Sequence, residues 1–339
     1  MVVLIIAGGS GTRLWPLSTP DFPKHLLKLN GDQNSLLQNT YLRAKTLSDD
    51  IFVVSEVGHI KHVKDQLLEI PDGNFIVEPG RRGTASCIAL SLSYIKSLKG
   101  INEPVAIIAA DHYIRDNEGF KYSFELAVKL AKKLDKIVLV GAEPTYPSTG
   151  FGYIKKGNLV DENLSVFSVD SFKEKPDYQT ASRYLKSGDY LWNCGYFVGS
   201  IQTFEREMKK NAKELYDNYL TIKDGQSDKY LDFESISIDY ALIEKVKDLL
   251  VIPATFDWVD LGTFNDLAKS TGSNELGNFV SGPVELSGTT NSYIVNNETK
   301  PVVTIGIDNL VVINSKDGIL ITRKDLSQKV GDLSKKLNK

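Results

Sequence analysis

The chain contains 339 residues, 42% of them hydrophobic and 24% charged, with a formal net charge of −3. This length and composition fit about two ordinary globular domains, and the acidic balance argues against nucleic-acid binding, which requires a basic surface. No apolar run approaches the roughly 20 residues of a membrane span, and the first residues lack the basic segment of a secretion signal. Two cysteines without a CxxC pair indicate neither a disulfide framework nor a zinc site. We therefore expect a cytoplasmic protein with no membrane or nucleic-acid partner.

Short apolar strands alternate with amphipathic helices along the first part of the chain. The strands are predicted at residues 2–7, 51–55, 74–77, 105–110 and 136–142. The helices are predicted at residues 35–47, 59–69, 84–98 and 120–134, with a Ser35–Gln38 capping box on the first and Thr84 as the cap of the third. Strands that are apolar on both faces and separated by helices are typical of a covered α/β sheet, whose ligands bind beyond the carboxyl ends of the strands.

The pattern changes towards the C-terminus. In the middle of the chain it predicts strands near 166–172 and 192–199 and helices near 178–187, 203–220 and 237–247. Four short strands separated by Asn, Asp and Gly turns follow, with no helix signal until DLSQKVGDLSKKL. We predict a first domain over 1–269, a small all-β module over 275–325 and a helical tail over 326–339, with a linker between the first two.

The loop after the first strand, GGSGTR at residues 8–13, is the first motif with chemical content. It is neither a Walker A loop nor a G-x-G-x-x-G motif, because no Lys-Ser/Thr pair and no third glycine follow. Glycines at a strand end let backbone amides approach phosphate oxygens, which the guanidinium of Arg13 and the ammonium of Lys24 can also bind. The alternatives are an ordinary turn with an exposed arginine and a lone surface lysine.

Aspartates at apolar strand ends are candidate magnesium ligands. Asp111 ends the run IIAAD, and FDWVDLG offers Asp257 and Asp260 at a similar break. Mg²⁺ binds proteins through one or two carboxylates together with phosphate oxygens, whereas the alternative role for each aspartate is a turn or helix cap. His59 and His62, three residues apart on a predicted helix, are expected on a solvent-exposed face.

Two further strand ends carry polar side chains suited to a sugar phosphate. The segment FKEKPD supplies Glu174 and Lys175, and LWNCGYF supplies Asn193. Carboxylate and amide groups bind hydroxyls, and a lysine pairs with phosphate. A surface ion pair and a turn asparagine are the alternatives.

Eight motifs in this order resemble those of the sugar-nucleotide pyrophosphorylases, most closely the mannose-1-phosphate guanylyltransferases. They cover residues 1–265 and are GGSGTRLWPLS, EPGRRGTA, AADHYI, TGFGYI, FKEKPD, LWNCGYF, SIDYALIE and WVDLGTF. The tryptophan after TRL resembles the guanylyltransferase version of the first motif. The resemblance implies an α/β fold with a Rossmann-like nucleotidyltransferase (GT-A-like) mixed sheet flanked by helices, followed by a short left-handed β-helix.

The resemblance also implies an activity, the Mg²⁺-dependent transfer of GMP from GTP to mannose 1-phosphate by a homodimer, which gives GDP-mannose and pyrophosphate. By the same resemblance, Arg13 and Lys24 are the catalytic cations, and Asp111 and Asp260 are the metal ligands. The implied nucleotide-binding residues are Gly8, Gly9, Ser10, Gly11, Thr12, Arg13, Glu78, Arg82, Gly83, Thr84 and Asp111. The implied sugar-phosphate-binding residues are Gly150, Glu174, Lys175 and Asn193.

One position departs from the family pattern. Members of the family usually have Asn or Asp before the threonine of the motif that reads EPGRRGTA here, where this chain has Gly83. Three other functions stay open: a nucleotidylyltransferase for another base or sugar, a catalytically silent regulator that binds a sugar nucleotide, and a nicotinamide-dependent oxidoreductase. The combination of Arg13, Lys24, Asp111 and Asp260 argues against the regulator, and the missing third glycine argues against the oxidoreductase.

Overall fold

The computed structural model describes residues 1–9, 11–161 and 164–337. Its strands are β1 (Val2–Ala7), β2 (Ile51–Glu56), β3 (Phe75–Glu78), β4 (Pro104–Ala109), β5 (His112–Tyr113), β6 (Val138–Ala142), β7 (Tyr153–Asp161), β8 (Val166–Lys173), β9 (Tyr190–Ser200), β10 (Leu250–Pro253), β11 (Val259–Asp260), β12 (Phe279–Ser281), β13 (Val284–Ser287), β14 (Tyr293–Asn296), β15 (Val302–Ile305), β16 (Leu310–Ser315) and β17 (Gly318–Arg323). Its α-helices are α1 (Leu36–Lys45), α2 (Ile60–Gln66), α3 (Gly83–Lys99), α4 (Asn117–Leu134), α5 (Tyr178–Ser187), α6 (Ile201–Asn211), α7 (Lys213–Lys223), α8 (Ile238–Ala241), α9 (Phe264–Ser270) and α10 (Val330–Leu337). None of the helices in these ranges is long and apolar enough to cross a membrane.

Nine strands form one mixed sheet in the order β3-β2-β1-β4-β9-β6-β10-β8-β7. Strands β1 to β4 run parallel, whereas β9 runs antiparallel to both β4 and β6. On β1, Val2 and Leu4 pack into the hydrophobic core on one face of the sheet, and Val3 and Ile5 pack into the core on the other. Both faces are covered, which explains why this strand is apolar throughout. The predicted mixed α/β sheet flanked by helices is confirmed.

Local capping groups decide where two of the helices begin. The capping box of α1 is present, because Gln38 N–H donates to Ser35 Oγ at 3.1 Å and Ser35 N–H donates to Gln38 Oε1 at 3.0 Å. Helix α4 begins three residues before its predicted start, since the Asp116 carboxylate accepts a hydrogen bond from Gly119 N–H at 2.9 Å. An aspartate at this position satisfies an amide that would otherwise lack a partner in the first turn.

Three other helix predictions are corrected. Thr84 does not cap α3, because its Oγ1 accepts a hydrogen bond from Ile238 N–H at 2.9 Å across the fold. The helix predicted over 203–220 is two helices, α6 and α7, separated at Ala212, whose φ of −144° and ψ of 68° lie outside the helical region. The helix predicted near 237–247 is reduced to the four residues of α8 and a short 3-10 turn.

The C-terminal part is a coil of short parallel strands. Strands β12, β14 and β16 form one parallel set, β13 and β15 form a second, and β17 closes the first set by running antiparallel to β16. Inside this module, Tyr293 and Val311 share one hydrophobic core with Leu14 from the loop after β1 and Phe264 from α9. The module is therefore packed against the segment that carries the glycine-rich motif.

The loops that follow β1 and β4 meet at the carboxyl edge of the parallel strands. Strands β5 and β11 form a separate two-stranded antiparallel ribbon in which Asp260 is paired with His112. His112 directly follows Asp111 in the chain. The ribbon therefore brings Asp260 to the end of β4, where Asp111 lies.

Candidate active site

An ion-pair cluster lies at this edge of the sheet. The Lys24 ammonium nitrogen is 2.7 Å from Asp111 Oδ2 and 2.8 Å from Asp260 Oδ1. Lys24 is only 5% exposed and begins a short 3-10 helix, whereas Asp111 follows β4 and Asp260 ends β11. Three segments that are far apart in the sequence thus place one cation and two carboxylates within hydrogen-bond distance.

Mutual attraction keeps these three groups charged. Burial by itself would lower the pKa of Lys24, but the carboxylates of Asp111 and Asp260 raise it above its ordinary value. Burial would likewise raise the pKa of each aspartate, but attraction to the Lys24 ammonium lowers both. The cluster therefore has a net charge of −1 at neutral pH, which favours the approach of a further cation.

The glycine-rich loop forms a wall of a cavity of about 160 Å³ beside the cluster. Gly11 has a φ of +58°, and a Cβ there would lie only 2.5 Å from the backbone nitrogen of Lys24, so this close approach requires glycine. The same cavity is lined by Gly8, Gly9 and Thr12. Ser10, which was predicted to bind the nucleotide, lies outside the described residues.

The Arg13 side chain faces both this cavity and a neighbouring one of about 610 Å³. Within the described parts of the chain, its guanidinium makes no hydrogen bond and no ion pair. A guanidinium without a partner at the wall of a cavity is a fork of donors available to an anion. The site thus combines the internally paired Lys24 with Arg13, a cation that has no polar partner among the described residues.

The donor set of Asp111 and Asp260 fits a magnesium ion. Each carboxylate binds Lys24 through one oxygen, and its second oxygen accepts no hydrogen bond from the described residues. Over 1–9, 11–161 and 164–337, no group of three or more His, Cys, Asp or Glu side chains could hold a metal ion. Because Mg²⁺ commonly takes one or two carboxylates and completes its shell with water and phosphate, these two residues fit that mode of binding.

A second cavity, of about 200 Å³, includes Asp260 in its wall. Glu174, directly after β8, is 6% exposed; its Oε1 accepts a hydrogen bond from Lys175 Nζ at 2.5 Å, and its buried Oε2 has no partner in the described structure. Asn193 on β9 donates from Nδ2 to Asp239 Oδ1 at 2.7 Å. Burial raises the pKa of both Glu174 and Asp239. A free carboxylate oxygen beside an amide is suited to binding hydroxyl groups.

Two residues predicted to bind different substrates line this second cavity together. Gly150, predicted on the sugar side, forms part of its wall and of the 610 Å³ cavity. Thr84, predicted on the nucleotide side, lies in the same wall. The second cavity therefore connects the two predicted halves of the site.

Two side chains before α3 are occupied by neighbouring parts of the chain. Glu78 accepts a hydrogen bond from the Tyr230 hydroxyl at 2.7 Å, and Arg82 Nε donates to the Leu231 carbonyl oxygen at 2.7 Å. Neither side chain is among the residues that line the first two cavities in the described structure. Contacts of these side chains with a nucleotide stay a prediction.

Gly83, the departure from the family pattern, has a structural reason. Its φ is +74°, and a Cβ at this position would collide with the carbonyl oxygen of Ile236. The two segments are also joined by a hydrogen bond from Ala85 N–H to that oxygen at 3.2 Å. A side chain at this position would push α3 away from the segment that carries Asp239.

Similarity to known proteins extends over almost the whole chain. The family described as "Nucleotidyl transferase" matches residues 2–275, and the one described as "MannoseP isomerase/GMP-like beta-helix domain" matches residues 287–337. The mannose-1-phosphate guanylyltransferase of Salmonella montevideo is 35% identical over 352 residues, which cover 98% of this chain and 73% of that protein. This chain belongs to the mannose-1-phosphate guanylyltransferase family. Mannose-1-phosphate guanylyltransferase 2 of Escherichia coli O157:H7 is 34% identical, with 97% of this chain and 72% of that protein covered.

Two solved structures with similar folds cover most or all of this guanylyltransferase-family chain. One from Thermus thermophilus, named a mannose-1-phosphate geranyltransferase, covers 100% of this chain and 99% of its own with a TM-score of 0.89 and 28% identity. The mannose-6-phosphate isomerase of Helicobacter pylori covers 77% of this chain and 100% of its own, with a TM-score of 0.64 and 25% identity. The predicted family, its enzyme class and the succession of a nucleotidyltransferase fold and a β-helix are confirmed.

Some residues of this guanylyltransferase-family site were not predicted. Asp239 lies in the motif SIDYALIE, but nothing in the motif itself indicated a hydrogen bond to Asn193. His112 Nδ1 is 2.8 Å from the Tyr196 hydroxyl oxygen, and burial lowers the pKa of this histidine. The available signal for His112 was its position directly after Asp111 at a strand end.

Two expectations about side chains outside the cluster are also resolved. Asp257 Oδ2 lies 2.9 Å from Arg115 Nε, and Asp257 Oδ1 accepts hydrogen bonds from the backbone N–H groups of Arg115 and Asp116, directly before α4. The role of Asp257 is therefore structural. The expectation that His59 lies on a solvent-exposed face is wrong, since it is 2% exposed. Its Nε2 lies 2.6 Å from the Pro20 carbonyl oxygen, because the start of α2 packs against the segment before Lys24.

Proposed function

We propose that this chain catalyses the reaction after which its relatives are named, the transfer of GMP from GTP to mannose 1-phosphate with release of pyrophosphate. The observation that carries the proposal is the cluster of Lys24, Asp111 and Asp260, which adjoins both the glycine-walled cavity of about 160 Å³ and the second cavity of about 200 Å³. We assign the triphosphate to the first cavity and the sugar to the second. The reacting phosphates would then meet at the cluster.

The chemistry at this junction requires charge control rather than proton abstraction. A nonbridging oxygen of mannose 1-phosphate forms a bond to the α-phosphorus of GTP. The bond from that phosphorus to the oxygen shared with the β-phosphorus breaks, and pyrophosphate leaves with the electron pair. Because the second pKa of a phosphate monoester is about 6, the attacking group is already an anion at neutral pH and needs no general base. The barrier that the protein has to lower is the repulsion between two polyanions.

The cations of the site lower this repulsion. We assign Arg13 to the phosphates that leave as pyrophosphate, because its guanidinium bonds to none of the described residues and faces the glycine-walled cavity. Lys24 lines the same cavity, and its ammonium offsets one of the two negative charges of Asp111 and Asp260. Mg²⁺, held by the two aspartates, would supply further neutralisation of the phosphate charge.

Recognition of the two substrates is assigned to groups on either side of the cluster. On the sugar side, Glu174 and Asn193 bind hydroxyls beside the backbone of Gly150, and the exposed Lys175 pairs with the sugar phosphate. On the nucleotide side, the loop amides bind phosphate oxygens. The guanosine is assigned to the segment before α3 and its first turn, with Glu78, Arg82, Gly83 and Thr84.

We also propose a homodimer that forms through the C-terminal module. Four apolar side chains on β15 and β17 are more than 60% exposed, namely Val303, Ile305, Ile319 and Ile321. Ile319 and Ile321 alternate along β17, and exposed apolar side chains that adjoin one another commonly mark an interface with another protein. Sedimentation of an Ile319→Lys, Ile321→Lys double variant tests this: a monomer is expected, and an unchanged dimer would contradict the assignment.

A cytoplasmic location agrees with the state of the thiols. Both cysteines, Cys87 and Cys194, are free and buried. Burial raises the pKa of each thiol, which keeps it protonated and unreactive. Free cysteines are typical of proteins in a reducing compartment.

A matrix of nucleoside triphosphates and sugar 1-phosphates, assayed for pyrophosphate release with Mg²⁺, tests the proposed reaction. We expect the highest kcat/KM for GTP with mannose 1-phosphate. Arg13→Ala should lower turnover about 10²–10³-fold, the usual scale for one lost charge-stabilising donor. A preference for another pair would reassign the base or the sugar. If no pair of substrates led to pyrophosphate release, although the protein was folded and bound GDP-mannose, the chain would be a catalytically silent regulator.

A further inference from the structure

The position of the Arg13 side chain is determined by packing rather than by polar bonds. In the described structure no hydrogen bond or ion pair holds its guanidinium. Gly331, the second residue of α10, is buried against its aliphatic stem: a Cβ at this glycine would lie 2.9 Å from Arg13 Cγ and 3.6 Å from Arg13 Cα. Near the guanidinium, a Cβ on Gly262 would lie 3.2 Å from Nη1. Two glycines from different segments, Gly262 and Gly331, therefore lie against the Arg13 side chain.

The residues that follow Arg13 contact the same C-terminal module. A Cβ on Gly318, at the start of β17, would lie 2.6 Å from Trp15 Cζ2. Ser315 Oγ donates a hydrogen bond to the Pro16 carbonyl oxygen at 3.0 Å. Trp15 is not among the residues that line the two substrate cavities in the described structure. The tryptophan of the first motif is thus a contact of the β-helix module.

We infer that Gly331 is a positioning residue for the reaction. Because Gly331 has no Cβ, the aliphatic stem of Arg13 can pack against α10, and this packing holds the guanidinium at the glycine-walled cavity. The inference rests on the proposed function, in which Arg13 binds the triphosphate. An arginine held by its stem loses less rotamer freedom when a ligand binds. Misplacement of a catalytic group by about 1 Å can cost 10²-fold in rate.

Gly331→Ala tests this role without weakening the helix. Alanine favours a helix more than glycine does, and residue 331 is not among the residues with positive φ. We expect kcat to fall about tenfold to a hundredfold, with an unchanged or higher thermal midpoint. The KM for mannose 1-phosphate should be unchanged, since the sugar-side cavity contains no residue of α10. Gly272→Ala is the matched control, because its Cβ would meet nothing within 4 Å, and its kinetics should equal those of the unmodified protein.

A double-variant cycle that combines Gly331→Ala with Arg13→Ala tests whether Gly331 acts by positioning Arg13 or whether its substitution disturbs the site in general. If Gly331 acts through Arg13, adding Gly331→Ala to Arg13→Ala produces no further loss of kcat. An additive loss, a loss that follows a lower thermal midpoint, or full activity of Gly331→Ala overturns the inference. Full turnover of Arg13→Ala overturns the proposed function instead, so the two failures are distinguishable.

Discussion

The proposed phosphate side and the proposed sugar side of the site both contain partly buried carboxylates, but the two environments shift the pKa values of these groups in opposite directions. On the phosphate side, the Lys24 ammonium lowers the pKa of Asp111 and Asp260 despite their burial. On the sugar side, burial raises the pKa of Asp239, and burial together with repulsion from Asp239 raises that of Glu174. The Lys24 ammonium outweighs burial at Asp111 and Asp260 and favours their ionised form, whereas burial and the neighbouring Asp239 outweigh the attraction of Lys175 at Glu174. The neighbours of a carboxylate, not its residue type, set its role.

Removal of Lys24 should have the largest effect, because it eliminates the charge that distinguishes the two sides. We expect Lys24→Ala to lower turnover about 10²–10³-fold. It should also lower the free energy of unfolding by about 1–3 kcal/mol, since two partly buried carboxylates lose their partner. Urea unfolding at pH 7 and steady-state assays measure both effects. Lys28→Ala, at an exposed lysine of the same segment, is the control, and turnover of Lys24→Ala near that of this control would contradict the assignment.

Loss of one phosphate-side carboxylate should appear in the metal requirement. We expect Asp260→Asn to raise the Mg²⁺ concentration for half-maximal activity at least about tenfold, the lower end of the cost of losing even an indirect metal contact. Asp257→Asn is a matched control three residues away, because Asp257 binds Arg115 instead. Identical metal titrations of the two variants would remove Asp260 from the proposed ligand set.

Loss of the sugar-side charge should affect one substrate selectively. We expect Glu174→Gln to raise the KM for mannose 1-phosphate about tenfold, on the scale of one hydrogen bond to a charged group, with the KM for GTP within about twofold of its original value. Asp170→Asn on β8, whose carboxylate binds Lys155 at the surface, serves as the control. Equal changes in both KM values would mean that the two cavities are not divided as proposed.

The smallest expected effect concerns the thermal midpoint, which Glu174→Gln and Asp260→Asn should change in opposite directions at pH 7. Because the folded-state pKa of Glu174 is raised, its ionised form costs stability above that pKa, and the cost disappears below the unfolded value. Glu174→Gln should therefore raise the thermal midpoint at pH 7 by roughly one or two degrees and have no such effect near pH 4. The folded-state pKa of Asp260 is lowered, so its ionised form adds stability above the unfolded value that is lost as pH falls through the folded pKa. Asp260→Asn should accordingly lower the midpoint at pH 7, and a change of the same sign in both variants would refute the contrast.

The sequence was most informative where a local pattern determines the structure. The strands and helices predicted between residues 2 and 142 lie within three residues of their predicted ends, since hydrophobic periodicity acts over a few residues, whereas the strands β5 and β7 were not predicted. The predicted cations and aspartates, Arg13, Lys24, Asp111 and Asp260, lie together because each follows a strand or turn at one edge of the sheet. By contrast, no local pattern indicated that Glu78 would bind Tyr230 or that Arg82 would bind Leu231, because these partners are about 150 residues away in the sequence.

Periodicity, glycine content and motif order are properties of neighbouring residues, so most elements, the family and the chemical groups at the strand ends could be predicted from the sequence. Three contacts could be seen only in the folded chain: Lys24 bridges Asp111 and Asp260, Asp257 binds the segment before α4, and α10 packs against Arg13. Coulomb attraction and packing depend on distances between remote segments, and those distances exist only once the sheet and the C-terminal module are in place.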